Sequence, residues 1–439
     1  MVFSPPNRGG PHLGLTAIDG GKALRTSQSL ILTILGLTLL IIAVPLASAQ
    51  FNLTVLHTFT GSTDGGYPTP LIRDAKGNLY GAAEAGGNSL CGFGCGYVFK
   101  VDPAGKFTDL YDFTGGNNGV YPVASLVRDA SGNLYGTTLG SGFSGLSVVF
   151  KLTPGGKETS YVPSANINFG SLDSPVALDA KGNVYGMVPF GGTSNCGWDY
   201  HGLGCGTLFK MTANGKFTTI HTFKGTDGMY PESGLVRDTK GNLYGAAMFG
   251  GIRTCRAVGN HINNAPGCGA IFKVDVDGKY TVLHTFSNHK DGAGPLGVII
   301  DSEDNLYGIA SGGGDHHGNP FGYGTIFKLD TKSGVFSVLF TFTPEIAGSS
   351  FFANLLVRDS KGNLYGAQKF DGAHNTGCLF RIDTRGKYTD LYDFDEQTAG
   401  KNKDGFFPAG VTLGSHGDFY GSMMLGGFAA FGTLFHITP

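Results

Sequence analysis

The chain has 439 residues, 74 of them Gly, with only 15% charged and a formal net charge of −2. So many glycines alongside 33 Phe and 18 Tyr suit short strands joined by tight turns and are poor material for long helices. No basic run breaks the near-neutral balance, so nothing in it suggests a nucleic-acid-binding surface, and no nucleic-acid partner is expected.

Residues 1–49 read as a signal peptide. Arg8, Lys22 and Arg25 precede an apolar run from Leu30 to Leu46, and Ala47-Ser48-Ala49 supplies the small residues of a cleavage site. The run is short for a bilayer span and contains Thr33, Thr38 and Pro45. The expected mature chain starts at Gln50, is secreted, periplasmic or displayed at the cell surface, and has no membrane partner; an uncleaved anchor is the alternative.

After the leader one phrase occurs seven times: Gly77-Asn-Leu-Tyr-Gly81, then 132–136, 182–186, 241–245, 304–308, 362–366 and 417–421, spaced 50 to 63 residues apart. A period of that size, built from short strands and Gly-rich turns, predicts an all-β, seven-bladed β-propeller of four-stranded antiparallel blades. In the first unit 70–73, 78–83, 96–101 and 106–113 read as strands. Asp74–Gly77 and Asp102–Gly105 read as type I turns with Gly in the left-handed region. Blades are expected at 60–113, 114–163, 164–223, 224–286, 287–342, 343–394, and at 395–439 together with 51–59. The split follows from the ends of the chain. Phe51–Phe59 matches the fourth strand of other units, whereas Gly432–Ile437 is a third strand with no fourth after it. Pairing the two would close the ring and remove its exposed edges; a parallel solenoid would not divide a repeat in this way.

Antiparallel order gives the expected disc two different faces. The tight first-to-second and third-to-fourth turns share one, and the irregular second-to-third loops share the other with the inter-blade connections. Function is expected on the loop face. Three of its loops carry cysteine pairs, Cys91/Cys95, Cys196/Cys205 and Cys255/Cys268, the later member always within Gly-Cys-Gly. In an exported protein these read as loop-clasping disulfides. Zinc is the rival, although each loop would fall two ligands short. Cys378 reads as a small buried thiol.

Candidate ligand-binding residues lie on the same face. They are Trp198, Asp199, Tyr200 and His201 in unit three, His261 in unit four, Asp315, His316 and His317 in unit five, and His374 in unit six. Imidazole with carboxylate can form a metal site or an acid–base pair, and can equally be a solvated loop group. No metal, cofactor or catalytic residue is assigned. Trp198, the only Trp, could stack on a sugar or pack on its blade. Tyr67, Tyr121, Tyr230 and Phe407 stand before Pro in a recurring connection phrase such as Asp227-Gly-Met-Tyr-Pro231. They read either as an aromatic ring around the channel mouth or as wedges between blades. Arg73, Arg128, Arg237 and Arg358, each next to a turn Asp, read as structural ion-pair partners on the plain face.

The unit Arg-Asp-x-x-Gly-Asn-Leu-Tyr-Gly-Ala, followed by Gly-Gly, then Gly-Thr-Leu-Phe-Lys-x-Asp-x-x-Gly-Lys and Leu-His-x-Phe, resembles the GloVer tandem repeat, a family of exported bacterial proteins with a choice of C-terminal anchors. The resemblance spans nearly all of 51–439 and implies a secreted propeller without an assigned activity. This chain ends at Pro439 with no apolar tail or sorting motif, so C-terminal anchoring is not expected. The Gly-Gly after strand two and the aromatic in strand four are similar to kelch repeats in architecture. The functional expectation is a monomeric binding or interaction protein that engages a glycan, a peptide or a cell-surface protein through the loop face. The alternatives are an extracellular polysaccharide-acting hydrolase or lyase with a His-rich centre, and a structural cell-surface scaffold.

Overall fold

In the computed structural model, the described residues are 51–439 apart from 62–63, 88–89, 141–146, 164–171, 193–203, 253–254, 256–266, 348–355, 370–375, 395–403 and 428–430. They form seven antiparallel sheets, one per repeat, arranged as a propeller ring. Blade four is representative: Val236–Arg237, Leu243–Ala247, Ala270–Val274 and Tyr280–Thr285 pair in chain order. One helical turn, Pro344–Ala347, interrupts the pattern. The ring closes as the repeat arithmetic requires. Asn52–Thr58 pairs antiparallel with Thr433–Thr438, from Asn52 opposite Thr438 to Thr58 opposite Thr433, and completes blade seven.

The recurring phrase is a folding device. In blade four the backbone carbonyl of Asp238 accepts from Gly241 N at 3.1 Å, closing the turn. Its carboxylate accepts from Asn242 N at 2.8 Å, Asn242 Nδ2 at 2.6 Å and the Tyr244 hydroxyl at 3.1 Å. Asp74, Asp129, Asp179, Asp301 and Asp359 make the same set of side-chain bonds. Burial raises the pKa of each of these carboxyls, but the donated hydrogen bonds outweigh it and leave all of them below the usual aspartate value. Blade seven, where Gly414 replaces the turn Asp, moves the carboxylate to Asp418, which binds His416 N at 2.9 Å and His436 Nε2 at 2.8 Å. The closing glycine of the phrase is dictated by packing. A Cβ on Gly245 would sit 2.6 Å from the Phe272 ring, and the other six equivalents meet their own third-strand Phe at 2.3–2.6 Å.

Aromatic side chains bind each blade to the next. Phe59, Phe113, Phe223, Phe286, Phe342 and Phe394, each just past a fourth strand, are fully buried. Each ring packs on the third-strand Phe of the following blade with centroids 5.1–5.9 Å apart. A β-bulge in six of the seven third-to-fourth pairings turns a His or an aromatic residue toward the same seam. There His221 stacks on Tyr280 at 3.7 Å and pairs with Asp227 at 3.0 Å; His284 does the same with Phe336 at 3.8 Å and Asp291 at 3.3 Å. The repeated arginines also cross the seams. Arg73, Arg128 and Arg358 lie over Tyr420, Tyr80 and Tyr307 of the preceding blade, and Arg358 approaches Asp301 there at 3.8 Å. They are structural, as expected, but they serve the neighbouring turn instead of the Asp beside them.

Candidate functional site

On the loop face the connections are locked to the preceding blade by a repeated contact. The N–H of Tyr121 donates to the Cys95 carbonyl at 2.9 Å, that of Tyr230 to Cys205 at 3.0 Å, and that of Gly294 to Cys268 at 2.8 Å. The glycine after each cysteine lies against the next proline: a Cβ on Gly206 would be 2.5 Å from Pro231 Cδ, and one on Gly269 would be 2.4 Å from Pro295 Cδ. The lock forces Tyr67, Tyr121, Tyr230 and Phe407 to φ values of 57° to 60°, a region unfavourable for bulky residues. All four are half-buried, Tyr67 packing on Phe431 at 6.0 Å and Tyr230 on Phe190 at 4.9 Å, and none lines the axial cavity.

Disulfides join Cys91 to Cys95 and Cys255 to Cys268, with Cα separations of 5.1 and 5.6 Å. Cys205 is also disulfide-bonded, whereas Cys196 lies outside the described residues. Cys378 is a buried free thiol donating to Gln368 Oε1 at 3.2 Å. Trp198, Asp199, Tyr200, His201, His261 and His374 also lie outside the described residues. In blade five His316 is held within its own loop region, Nε2 at 2.9 Å from the Asn288 carbonyl and Nδ1 at 3.3 Å from that of Pro320. His317 points outward, 90% exposed, with Nδ1 2.6 Å from Asp315 Oδ1. Among the described residues no group of three or more His, Cys, Asp or Glu could hold a metal ion.

The axis of the ring holds a cavity of about 580 Å³ to which all seven blades contribute. Most of its wall is apolar and comes from first strands and the segments leading into them, including Val123, Leu296, Ile299, Leu356 and Val411. Three ionisable groups interrupt that wall: Asp173 of blade three, Glu232 of blade four and Lys369 of blade six. Glu232 directly follows the connection proline Pro231, and Lys369 directly follows the second strand Leu364–Gln368. Both addresses lie at the loop-face end of the channel. Asp173 occupies the same repeat position as Glu232, one blade earlier.

None of the three makes a salt bridge or side-chain hydrogen bond to another charged group among the described residues, and Asp173 Oδ1 is buried without a partner. Burial and then the charge of Glu232 push the Asp173 carboxyl up to about 7. Burial raises Glu232 while Lys369 opposes it, and burial lowers Lys369 while Glu232 opposes that. Glu232 keeps accessible surface because it faces the channel, but protein surrounds that channel on every side, so desolvation still governs its titration. Glu84, at the repeat position of Lys369 in blade one, is likewise raised by burial. These groups escaped the reading of motifs because each is a single departure within a repeat. Blade two has Val123 where Glu232 stands, and blade four has Met248 where Lys369 stands. Comparing the seven units column by column for charge at apolar positions would have exposed them.

Among solved structures the fold is similar to an oligogalacturonate lyase from Vibrio parahaemolyticus, at 12% identity, covering 89% of this chain and 94% of that one with a TM-score of 0.55. It also matches a GH74 enzyme from Niastella koreensis (17% identity, 77% and 46% covered, TM-score 0.48) and a GH74 xyloglucanase from Xanthomonas campestris (13%, 79% and 48%, 0.46). The chain spans about half the length of the two GH74 proteins, and at these identities the likeness is one of fold alone. No curated protein sequence matches the chain. The model of the Gloeobacter/Verrucomicrobia repeat matches residues 42–259 and 203–435, nearly the whole propeller. The chain therefore belongs to the Gloeobacter/Verrucomicrobia repeat family.

Proposed function

We propose that this protein is an exported, monomeric binding protein that captures its ligand in the axial channel, entered from the face bearing the long second-to-third-strand loops. The observation that carries the reading is the convergence of Asp173, Glu232 and Lys369 on one cavity with no salt bridge among them. Keeping Asp173 and Lys369 half-buried without an ion pair costs stability, which is tolerated where a ligand completes them. Disulfides in the loops, and an N-terminal segment whose sequence reads as a signal peptide ending at Ala49, support a location outside the cytoplasm. The ligand classes that suit such a mouth are a glycan, a peptide or a segment of a cell-surface protein. A thermal-shift panel of saccharides, amino acids and peptides tests this. At least one class should raise the melting temperature of the wild type and leave the Glu232→Gln/Lys369→Met double variant unmoved. Equal stabilisation of both proteins would place binding elsewhere and defeat the proposal.

A second reading, a polysaccharide-acting lyase or hydrolase, is favoured by one observation. Asp173 and Glu232 line the same cavity, and burial with the charge of Glu232 pushes the Asp173 carboxyl up to about 7, which suits it to proton transfer at neutral pH. Release of reducing ends from acidic or neutral polysaccharides, abolished by Asp173→Asn, would establish it. Product formation unaffected by that change would dismiss the channel as its centre.

A further inference from the structure

The charges in the channel are arranged as two poles. Asp173 and Glu232 occupy one repeat position in adjacent blades three and four, and Lys369 stands in blade six. Lys369 and Glu232 influence each other's charge, yet no salt bridge joins them. Between them the first strand of blade five presents Pro295, Leu296 and Ile299 to the same cavity. Groups of opposite charge thus face one cavity from blades on either side of that apolar strand.

A ligand is selected by which groups it leaves unpaired. A neutral saccharide would take water from both poles and supply neither with a counter-charge. A simple anion would meet two carboxylates, and a simple cation would leave Lys369 without a counter-charge. Only a ligand carrying both signs, separated by an apolar body, satisfies the whole cavity. About 580 Å³ also exceeds what a single small amino acid fills and falls within the range of sites that enclose larger ligands.

Resting on the channel-binding reading above, we propose that the ligand is a short peptide with both termini free, its ammonium held by Asp173 and Glu232, its carboxylate by Lys369, and its side chains against blade five.

Calorimetric titration of the full exported protein with tripeptides of varied side chains tests the idea without any protein variant. A free tripeptide should bind, and its N-acetylated and C-amidated forms should each bind at least about tenfold more weakly, the loss of one charged contact. In Lys369→Met the amide and the free acid should bind alike; in Glu232→Gln the penalty for acetylation should shrink. Equal affinity for free and doubly blocked peptides overturns the proposal. So does binding of maltotriose with no tripeptide bound, although channel binding itself survives if the two substitutions weaken maltotriose. Any ligand whose affinity ignores both substitutions removes the channel reading as well.

Discussion

At the scale of single residues, two kinds of aspartate pull stability in opposite directions as pH changes. The turn aspartates, such as Asp238, are held below the ordinary value of 3.8 by donors from Asn and Tyr. A depressed carboxyl contributes stability above its unfolded pKa and loses it as pH falls through the folded one. Thermal unfolding should therefore hold steady down to about pH 4 and fall steeply below it, as a calorimetric pH series would show. Asp238→Ala should cost about 1–3 kcal/mol in urea unfolding, because buried Asn242 loses two partners. Asp173 has the reverse sign. Its folded value of about 7 lies above the unfolded one, so its contribution is intact below about pH 4 and is lost as pH rises through 7. Asp173→Asn should leave stability unchanged at pH 4 and raise it by about 1–2 kcal/mol at pH 8, the full shift being discounted because Asp173 is only half-buried. Equal melting temperatures of mutant and wild type at pH 8 would show that the carboxyl is not strained by its surroundings. A residue that lowers stability at neutral pH is retained for some other purpose, which is why the channel, and not the turn network, is the functional candidate.

At the scale of elements, the repeat phrase and the end-of-strand phenylalanines do different jobs. Asn242 and Tyr244 close a turn inside one blade, while Phe286 on Phe327 joins two blades at 5.4 Å. Phe286→Ala should cost about 3–5 kcal/mol by urea unfolding, since the ring is wholly buried and its site is walled by neighbouring sheets that cannot close on the gap. Strand pairing, turn position and ring closure were legible in the sequence because each depends on local residues recurring at one address: Asp-x-x-Gly-Asn, a third-strand Phe, a terminal half-blade. The inter-blade role of the arginines was not legible, since Arg358 sits next to Asp359 in sequence yet reaches Asp301 across the seam. The left-handed backbone at Tyr230 was hidden for a related reason. It is imposed by the Cys205 carbonyl and by the close approach of Gly206 to Pro231, contacts between segments that the repeat pattern treats separately. Only Gly294, the blade-five counterpart, hinted that this position favours a positive φ.

At the scale of the whole molecule, the charged channel exists only because the ring is complete, since its wall is assembled from every blade. Completion depends on one strand. Asn52–Thr58 supplies the fourth strand of blade seven, its neighbour Phe59 donates to the Gly432 carbonyl at 3.0 Å, and His57 stacks on Phe107 of blade one at 4.1 Å. Blades one and seven are otherwise joined through inner contacts such as Ser422 Oγ to the Thr69 carbonyl at 2.8 Å. Removing residues 50–60 would leave Thr433–Thr438 as an open edge beside the uncovered ring of Phe99, a template for pairing with another chain. The shortened protein should elute as dimers or larger species in size-exclusion chromatography, and it should lose channel-dependent ligand binding even though none of the channel-lining residues has been removed. A synthetic peptide spanning 50–60, added in excess, should restore both the monomer and the binding by taking the vacant place, because the other strands already present its partner in register. A truncated protein that remains monomeric and binds as well as the intact one would mean that the outer strand is dispensable and that the inner strands alone hold the channel together.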